Sequence, residues 1–314
     1  MNWKYVLSFG VSALLFVILF TQVDLDKVIS IIEGASLPLV LICVALTVLN
    51  MLFKVVRWKF FLDVYKLKVK KIDVVSTYLA SLFLGNIIPA RIGEISRPYF
   101  LKKRYKTSFF HLLPVILVER FLDMTALLIV AMLFLLFFSF FVSELLKIAM
   151  ILTFLIMFLA LAIMLKKPWM KKLTSSVFHL LSMKKHLRKI DDMIDKFYAG
   201  LAKMRSVNFA PILLMTLASM LCEVFILYFA ALSLGLSLDL AVAFGFLSLS
   251  LLGGTISSLP GGLGSAEAIL FTLFVLLGVN ASMALSAALL TRFLSYFMAV
   301  LFSFPFFIRE VKHK

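Results

Sequence analysis

Two apolar stretches of this chain stop at a glycine and a proline, and no other feature narrows its folds so far. The first is Leu84-Gly85-Asn86-Ile87-Ile88-Pro89-Ala90-Arg91-Ile92-Gly93-Glu94. The second is Leu252-Gly253-Gly254-Thr255-Ile256-Ser257-Ser258-Leu259-Pro260-Gly261-Gly262-Leu263-Gly264-Ser265-Ala266-Glu267. Each passes from glycine to proline, meets a glycine four residues after that proline, and then reaches a glutamate. Glycine and proline together break a helix and free backbone N–H and C=O groups. The chain around them is 63% hydrophobic and 15% charged, where soluble domains run at about 25% charged. Its mean hydropathy is +1.09, and several runs approach the roughly 20 apolar residues of a spanning helix. In a bilayer, freed backbone groups find no water, so such a break survives only against protein or a wet cavity. Paired breaks in two halves of a membrane chain mark its binding site.

The positive charges give orientation. The formal net charge is +16, but Lys and Arg gather in short clusters between apolar runs, which is the pattern of membrane topology and not of nucleic-acid binding. One cluster runs from Lys54 to Lys71, a second from Arg91 to Lys106, the longest from Lys166 to Arg205, and Arg309, Lys312 and Lys314 close the chain. Placing all of them on the cytoplasmic side leaves only Lys27 and Lys147 outside. The start of the chain reads as a retained first helix, because no small-residue cleavage site follows Phe20.

The path follows from that assignment. Helix 1 (about 4–21) goes out, 22–37 is an external segment, and helix 2 (about 38–60) returns. The stretch 72–89 has basic clusters on both sides, so it enters and leaves from the cytoplasm as a re-entrant hairpin turning near Asn86–Gly93. Helix 3 (about 109–141), a tight turn at Ser143–Lys147 and helix 4 (148–165) lead to a basic loop. Helix 5 (about 209–234) goes out, two arms in 239–279 surround the second break, and helix 6 (about 283–308) comes back. The expectation is an all-α integral membrane protein of six to eight transmembrane helices, one polytopic domain over 1–314, in the plasma membrane with both termini cytoplasmic.

The halves also match each other. Pro89 is followed 31 residues later by Arg120-Phe121-Leu122, and Pro260 is followed 32 residues later by Arg292-Phe293-Leu294. Asp73 and Asp239 open the two apolar arms. Repeat 1 covers about 38–141 and repeat 2 about 209–308. The first enters from the cytoplasm and the second from outside, which makes an inverted-topology repeat with two broken hairpins.

Charges deep in these helices need partners. Arg120 and Arg292 lie well inside helices 3 and 6, with Glu119 and Asp123 beside Arg120, Glu223 in helix 5, and Glu94 and Glu267 just past the breaks. Intramembrane ionisable residues pair with one another and mark ligand or ion paths. The offsets suggest Glu94 with Arg120 and Glu267 with Arg292; such pairs can also be purely structural salt bridges. Arg91 and Arg97 flank Glu94, and guanidinium forks suit phosphate. The candidate substrate-binding set is therefore Asn86, Pro89, Arg91, Glu94, Arg97, Glu119, Arg120, Asp123, Glu223, Pro260, Gly261, Gly264, Glu267 and Arg292.

The basic segment 166–208 contains an amphipathic helix, with Leu187, Ile190, Ile194, Phe197, Leu201 and Met204 on one face, expected to lie on the inner leaflet. Cys43 and Cys222 sit in apolar runs and give no disulfide framework. Four histidines show no metal spacing, so no metal and no cofactor are expected. No Walker A loop or Gly-x-Ser-x-Gly elbow occurs, and no enzyme activity is expected. The small residues in Ala281–Ala288 can pack helices within one chain or across a homodimer.

The run Asn86 to Arg97, then Glu119-Arg120-Phe121-Leu122-Asp123, then Pro260 to Glu267, resembles the lysylphosphatidylglycerol synthase transmembrane-region family, also called flippase-like domain proteins. In bifunctional members a soluble aminoacyl-transferase domain follows the membrane half; here the sequence ends at Lys314 without one, so the resemblance does not imply lysyl transfer. It implies movement of a phospholipid or polyprenyl-linked lipid across the bilayer, with membrane lipids of anionic or lipid-linked phosphate head group as partners. A lipid-modifying synthase or glycosyltransferase is a further partner. Two other classes stay open: a membrane-embedded enzyme of lipid or glycolipid synthesis, and a non-transporting partner of a synthase.

Overall fold

The computed structural model describes residues 3–137, 166–180, 187–204 and 208–312, with single positions 152, 155, 158 and 159. Among these residues all regular structure is helical. Helices α1 (Trp3–Thr21), α2 (Leu25–Glu33) and α3 (Leu37–Val64) are followed by α4 (Lys71–Ile87), a tight turn over Pro89–Ile95 and α5 (Ser96–Tyr105). Then come α6 (Phe109–Phe137), α7 (Lys167–Leu180), α8 (Leu187–Lys203), α9 (Phe209–Ser233) and α10 (Leu240–Ile256). After a turn at Pro260–Gly262 come α11 (Ser265–Leu276), α12 (Ala281–Arg292), a π-helical stretch Phe293–Phe297 and α13 (Met298–Lys312). Among the described residues, four helical stretches are long and apolar enough to cross a membrane: Leu37–Val64, Phe109–Phe137, Phe209–Ser233 and Ala281–Lys312. The chain is a multi-pass, all-α membrane protein. The turn at Ser143–Lys147 and, apart from those four single positions, helix 4 over 148–165 lie outside the described residues.

Local chemistry sets the helix starts. Asp24, Asn208, Asp239 and Asn280 each accept from backbone N–H groups of the first turn, as in Ala241 N to Asp239 at 2.7 Å and Met283 N to Asn280 at 2.9 Å. The segment 22–37 is more ordered than the sequence suggested: α2 forms there and buries Val28.

Helices α3 and α9 run antiparallel along their length. Ser36 N donates to Ser233 O at 2.9 Å, Asn50 to Glu223 at 2.9 Å and Arg57 to Thr216 at 2.8 Å. Helix α13 lies antiparallel on α4, with Ser76 on Glu310 at 2.5 Å and Phe83 against Phe304. Where α13 ends, α4 begins and α5 ends: Asp73 takes Arg309 at 3.1 Å, Tyr105 at 2.7 Å and Arg104, which also reaches Glu310 at 3.1 Å. At the other end of the bundle α3 starts beside the end of α9, α10 starts seven residues beyond that point, and α2 packs on α12. The two turns, at Pro89–Ile95 and Pro260–Gly262, touch in the interior.

Two expectations need correction. Helix α8 forms where the apolar periodicity placed it, but its apolar face turns into the protein. Ile194, Phe197 and Met204 are buried, Tyr65 donates to Gly200 O at 2.9 Å, and Gly200 packs on the His111 carbonyl. A face covered by α6 is not spread on a leaflet. Second, Lys54 and Arg57 were grouped with cytoplasmic loop charges, yet both sit within α3 and point into the bundle, with Arg57 1% exposed. The small residues of α12 are used inside the chain, where Ala284, Ala287 and Ala288 are fully buried.

Candidate functional site

The two breaks share a backbone. After Pro89, Ala90 and Arg91 both take left-handed conformations with φ of 56° and 55°; after Pro260, Gly261 and Gly262 do the same with 58° and 69°. At Gly261 the need for glycine is also steric, since a Cβ would come within 2.2 Å of the Tyr296 ring. Gly93 is equally constrained, because its Cβ would lie 2.2 Å from the Leu84 carbonyl and push the returning arm off α4.

Each break is clamped by a glutamate–arginine pair. Glu94 binds Arg120, and Glu267 Oε1 accepts from Arg292 Nε at 3.0 Å while its Oε2 takes Gly264 N at 2.8 Å. Arg292 Nη2 also donates to Gly261 O at 2.8 Å, so this guanidinium holds helix and turn together. The π-helical stretch begins at the next residue, and Thr47 satisfies its Leu294 carbonyl at 2.7 Å. Such bulges recur at functional sites. Tyr296 donates to Asn86 O at 2.8 Å and so ties the second half to the first break.

Behind Glu94 and Arg120 the charges continue as an alternating chain. Arg57 makes a two-pronged bond to Asp123 at 2.5 and 3.1 Å and lies 3.6 Å from Glu119; Glu119 takes Arg97 at 2.5 Å. Arg97 does not sit at a cavity mouth. It is 1% exposed, sandwiched with its guanidinium carbon 4.7 Å from the Trp58 ring centre and 4.3 Å from that of Tyr78, and bound to Ser81 at 3.1 Å. Its role is to fix α5 onto α3, α4 and α6.

In front of these pairs lies a cavity of three lobes, enclosing about 710, 520 and 470 Å³ of space that includes the open solvent at their mouths. Arg91 and Leu251 border all three. Of the residues singled out from the sequence, Asn86, Arg91, Arg120, Asp123, Glu223, Gly261 and Arg292 line it. Pro89, Glu94, Arg97, Glu119, Pro260, Gly264 and Glu267 shape or brace the walls instead. Lys54 and Asn50 are cavity residues that sequence reading missed: both bind Glu223 Oε1, at 2.7 and 2.9 Å. Their spacing was the available clue, since Asn50, Lys54 and Arg57 recur at intervals of four and three and share one face of α3.

Charge around the cavity does not cancel. The buried cluster holds Lys54, Arg57, Arg91, Arg97, Arg120 and Arg292 against Glu94, Glu119, Asp123, Glu223 and Glu267. Every cation but one has a carboxylate. Arg91 has neither an ion pair nor a hydrogen bond among the described residues, and its nearest charges include another arginine, Arg120. A guanidinium so placed attracts an anion.

Residues 5–303 match the family described as the Lysylphosphatidylglycerol synthase TM region. Two UPF0104 membrane proteins from Methanocaldococcus jannaschii are similar to this chain. One is 30% identical over 241 residues, covering 73% of this chain and 95% of its own length. The other is 23% identical over 309 residues, covering 94% and 91%.

Proposed function

This chain belongs to the lysylphosphatidylglycerol synthase TM-region family, and from that premise we propose that it carries a phospholipid or polyprenyl-linked lipid head group across the plasma membrane, with both termini in the cytoplasm. It works as a transporter and not as an enzyme. The observation that carries this reading is the unpartnered Arg91 at the junction of three cavity lobes, between two broken hairpins. The hairpins form an inverted repeat. Support comes from the shared left-handed turns, from the two glutamate–arginine clamps, and from arms that begin and end at opposite ends of the bundle. Alternating access then needs one hairpin to open while the other stays clamped. The phosphate binds Arg91, and the tails stay in lipid.

The test is reconstitution into liposomes with fluorescent phospholipid and a membrane-impermeant quencher. Wild-type protein is expected to move lipid between leaflets, and Arg120→Ala plus Arg292→Ala to abolish that movement. Equal rates for both proteins, or a rate no faster than protein-free liposomes, would overturn the proposal.

A further inference from the structure

Five of the six cations in the buried cluster are arginines, and Lys54 is the exception. The difference is chemical. A guanidinium keeps its proton at any pH a fold survives, whereas an ammonium can release one and still donate a hydrogen bond as the amine. The carboxylates divide the same way. Glu94, Glu119, Asp123 and Glu267 each face an arginine; among the described residues Glu223 is the one member of the cluster whose ion-pair partner is a lysine, at 2.7 Å. Asn50 donates to the same oxygen at 2.9 Å, so Glu223 keeps a neutral donor whichever form Lys54 takes.

This pair stands on the cavity, not behind it. Lys54, Glu223 and Arg91 together border two of the three lobes. The side chains of the pair are 18% and 22% exposed, so water reaches them, whereas Glu267 and Arg292 are closed off. The other ionisable groups facing these lobes are Arg91 from the first turn, Arg120 and Asp123 from α6, Arg292 from α12 and Tyr296 from the π-helical stretch. Cys222 neighbours Glu223 on α9, and α4, α10 and α11 bring no ionisable group there. Arg120, Asp123 and Arg292 are already committed, to Glu94, Arg57 and Glu267.

Charge then links a proton to the ligand. Six cations against five carboxylates leave one positive charge in the empty cavity, and an uncompensated charge is costly inside a bilayer. Loss of the Lys54 proton removes it, because Glu223 then serves as counter-ion to Arg91, a guanidinium its field already reaches. A singly charged phosphate on Arg91 also removes it, and in that state Lys54 must keep its proton for the cluster to stay neutral. The neutral states hold both anion and proton, or neither.

We infer that Lys54, held by Glu223, is a proton-binding site that fills and empties together with the anionic head group, so that lipid and proton cross as a symport. This rests on reading the cavity as the path of the lipid. On loading, the lone pair of the Lys54 amine takes a proton from water on the side where the lipid enters. On unloading, that N–H bond breaks and the proton leaves to water on the other side. One anion and one proton cross per cycle with no net charge, so a pH difference drives lipid toward the alkaline side.

The first measurement needs no transport. Short-chain phosphatidylglycerol, a phosphodiester that does not itself titrate near neutral pH, is added to the purified full chain in weakly buffered detergent with a pH dye. Wild-type protein is expected to take up about one proton per lipid bound, and its affinity to fall by up to about tenfold per unit rise in pH where uptake occurs. Lys54→Arg keeps the charge and a donor to Glu223 but holds its proton, and is expected to bind lipid with neither uptake nor slope. Wild-type binding without uptake at any pH the fold withstands overturns the inference, whether or not the variant folds. The second measurement uses liposomes with fluorescent phosphatidylglycerol and an imposed pH difference, read against protein-free vesicles. Wild-type protein is expected to enrich the lipid in the leaflet on the alkaline side, toward a limit of about tenfold per pH unit, and Lys54→Arg to show no enrichment. Enrichment indifferent to the sign of the gradient overturns the coupling. Proton uptake on binding with no lipid movement overturns transport and keeps the proton site; lipid movement with no uptake does the reverse.

Discussion

Arg91 and Gly262 occupy the same place in two separate breaks, each two residues past a proline, and both hold a left-handed backbone, at φ 55° and 69°. One half meets that geometry with glycine and the other with arginine. A side chain in this region costs about 1–2 kcal/mol. Strain of this kind persists where the surrounding structure over-determines it, and it gathers at functional sites. Here the cost places a guanidinium where three cavity lobes meet.

Replacing that side chain therefore separates stability from function. Arg91→Gly is expected to stabilise the protein by about 1 kcal/mol through relief of strain, while lipid movement falls at least about tenfold. Arg91→Ala keeps the left-handed cost and is expected to lose movement without the gain in Tm. Thermal unfolding beside the liposome assay reads both effects, and a destabilised Arg91→Gly would contradict the strain argument.

The clamp at the second break is buried, with side chains 1% and 7% exposed for Glu267 and Arg292. Glu267→Ala leaves the guanidinium without its counter-charge and is expected to cost about 3–5 kcal/mol. Asp63→Ala removes the partner of Lys59 in a pair 46% and 56% exposed, and is expected to change stability by under about 1 kcal/mol. Monodisperse yield and Tm of the two variants provide the comparison.

Close approach at the first turn makes a sharper steric prediction. Gly93→Ala places a Cβ 2.2 Å from the Leu84 carbonyl, backbone that has no rotamer to yield. A loss of about 1–3 kcal/mol is expected, typical of overpacking. Gly10→Ala meets nothing within 4 Å and is expected to be close to neutral or mildly stabilising. Similar Tm values for the two would show that the hairpin can relax.

Opposite insertion of the hairpins is testable by labelling. Lys68 precedes α4 and Asn280 precedes α12, and both are exposed, whereas the native Cys43 and Cys222 are buried. In oriented vesicles, Lys68→Cys and Asn280→Cys are expected to react with an impermeant maleimide from opposite sides. Labelling of both from one side would remove the inverted repeat.

The pairing of α7 with α8 carries a pH signature. Hydrogen bonds from Lys171 and Lys167 hold the Asp195 carboxyl below its usual range. A depressed folded pKa means the contribution is complete above the unfolded value of about 3.9 and is lost as pH falls through the lower folded value. Hydrogen exchange in Lys167–Leu180 is therefore expected to quicken only at strongly acid pH, and Asp195→Asn to remove that step. A transition near neutrality would point to other groups.

Apolar runs, caps and the paired Gly–Pro breaks were legible because each is a local pattern: all four of the long spans fall within a few residues of where hydropathy placed them. The Glu94–Arg120 and Glu267–Arg292 pairs were legible for a related reason, since an offset repeated in both halves points to one geometry built twice. Folding alone decided what each charged face would meet. Arg57 looked like a loop cation because its partners Asp123 and Thr216 lie 66 and 159 residues away. The apolar face of α8 announced a helix, but periodicity says nothing about whether lipid or α6 covers it. The lone state of Arg91 is the same kind of fact: a guanidinium is unpaired only relative to everything packed around it, and that is a property of three dimensions.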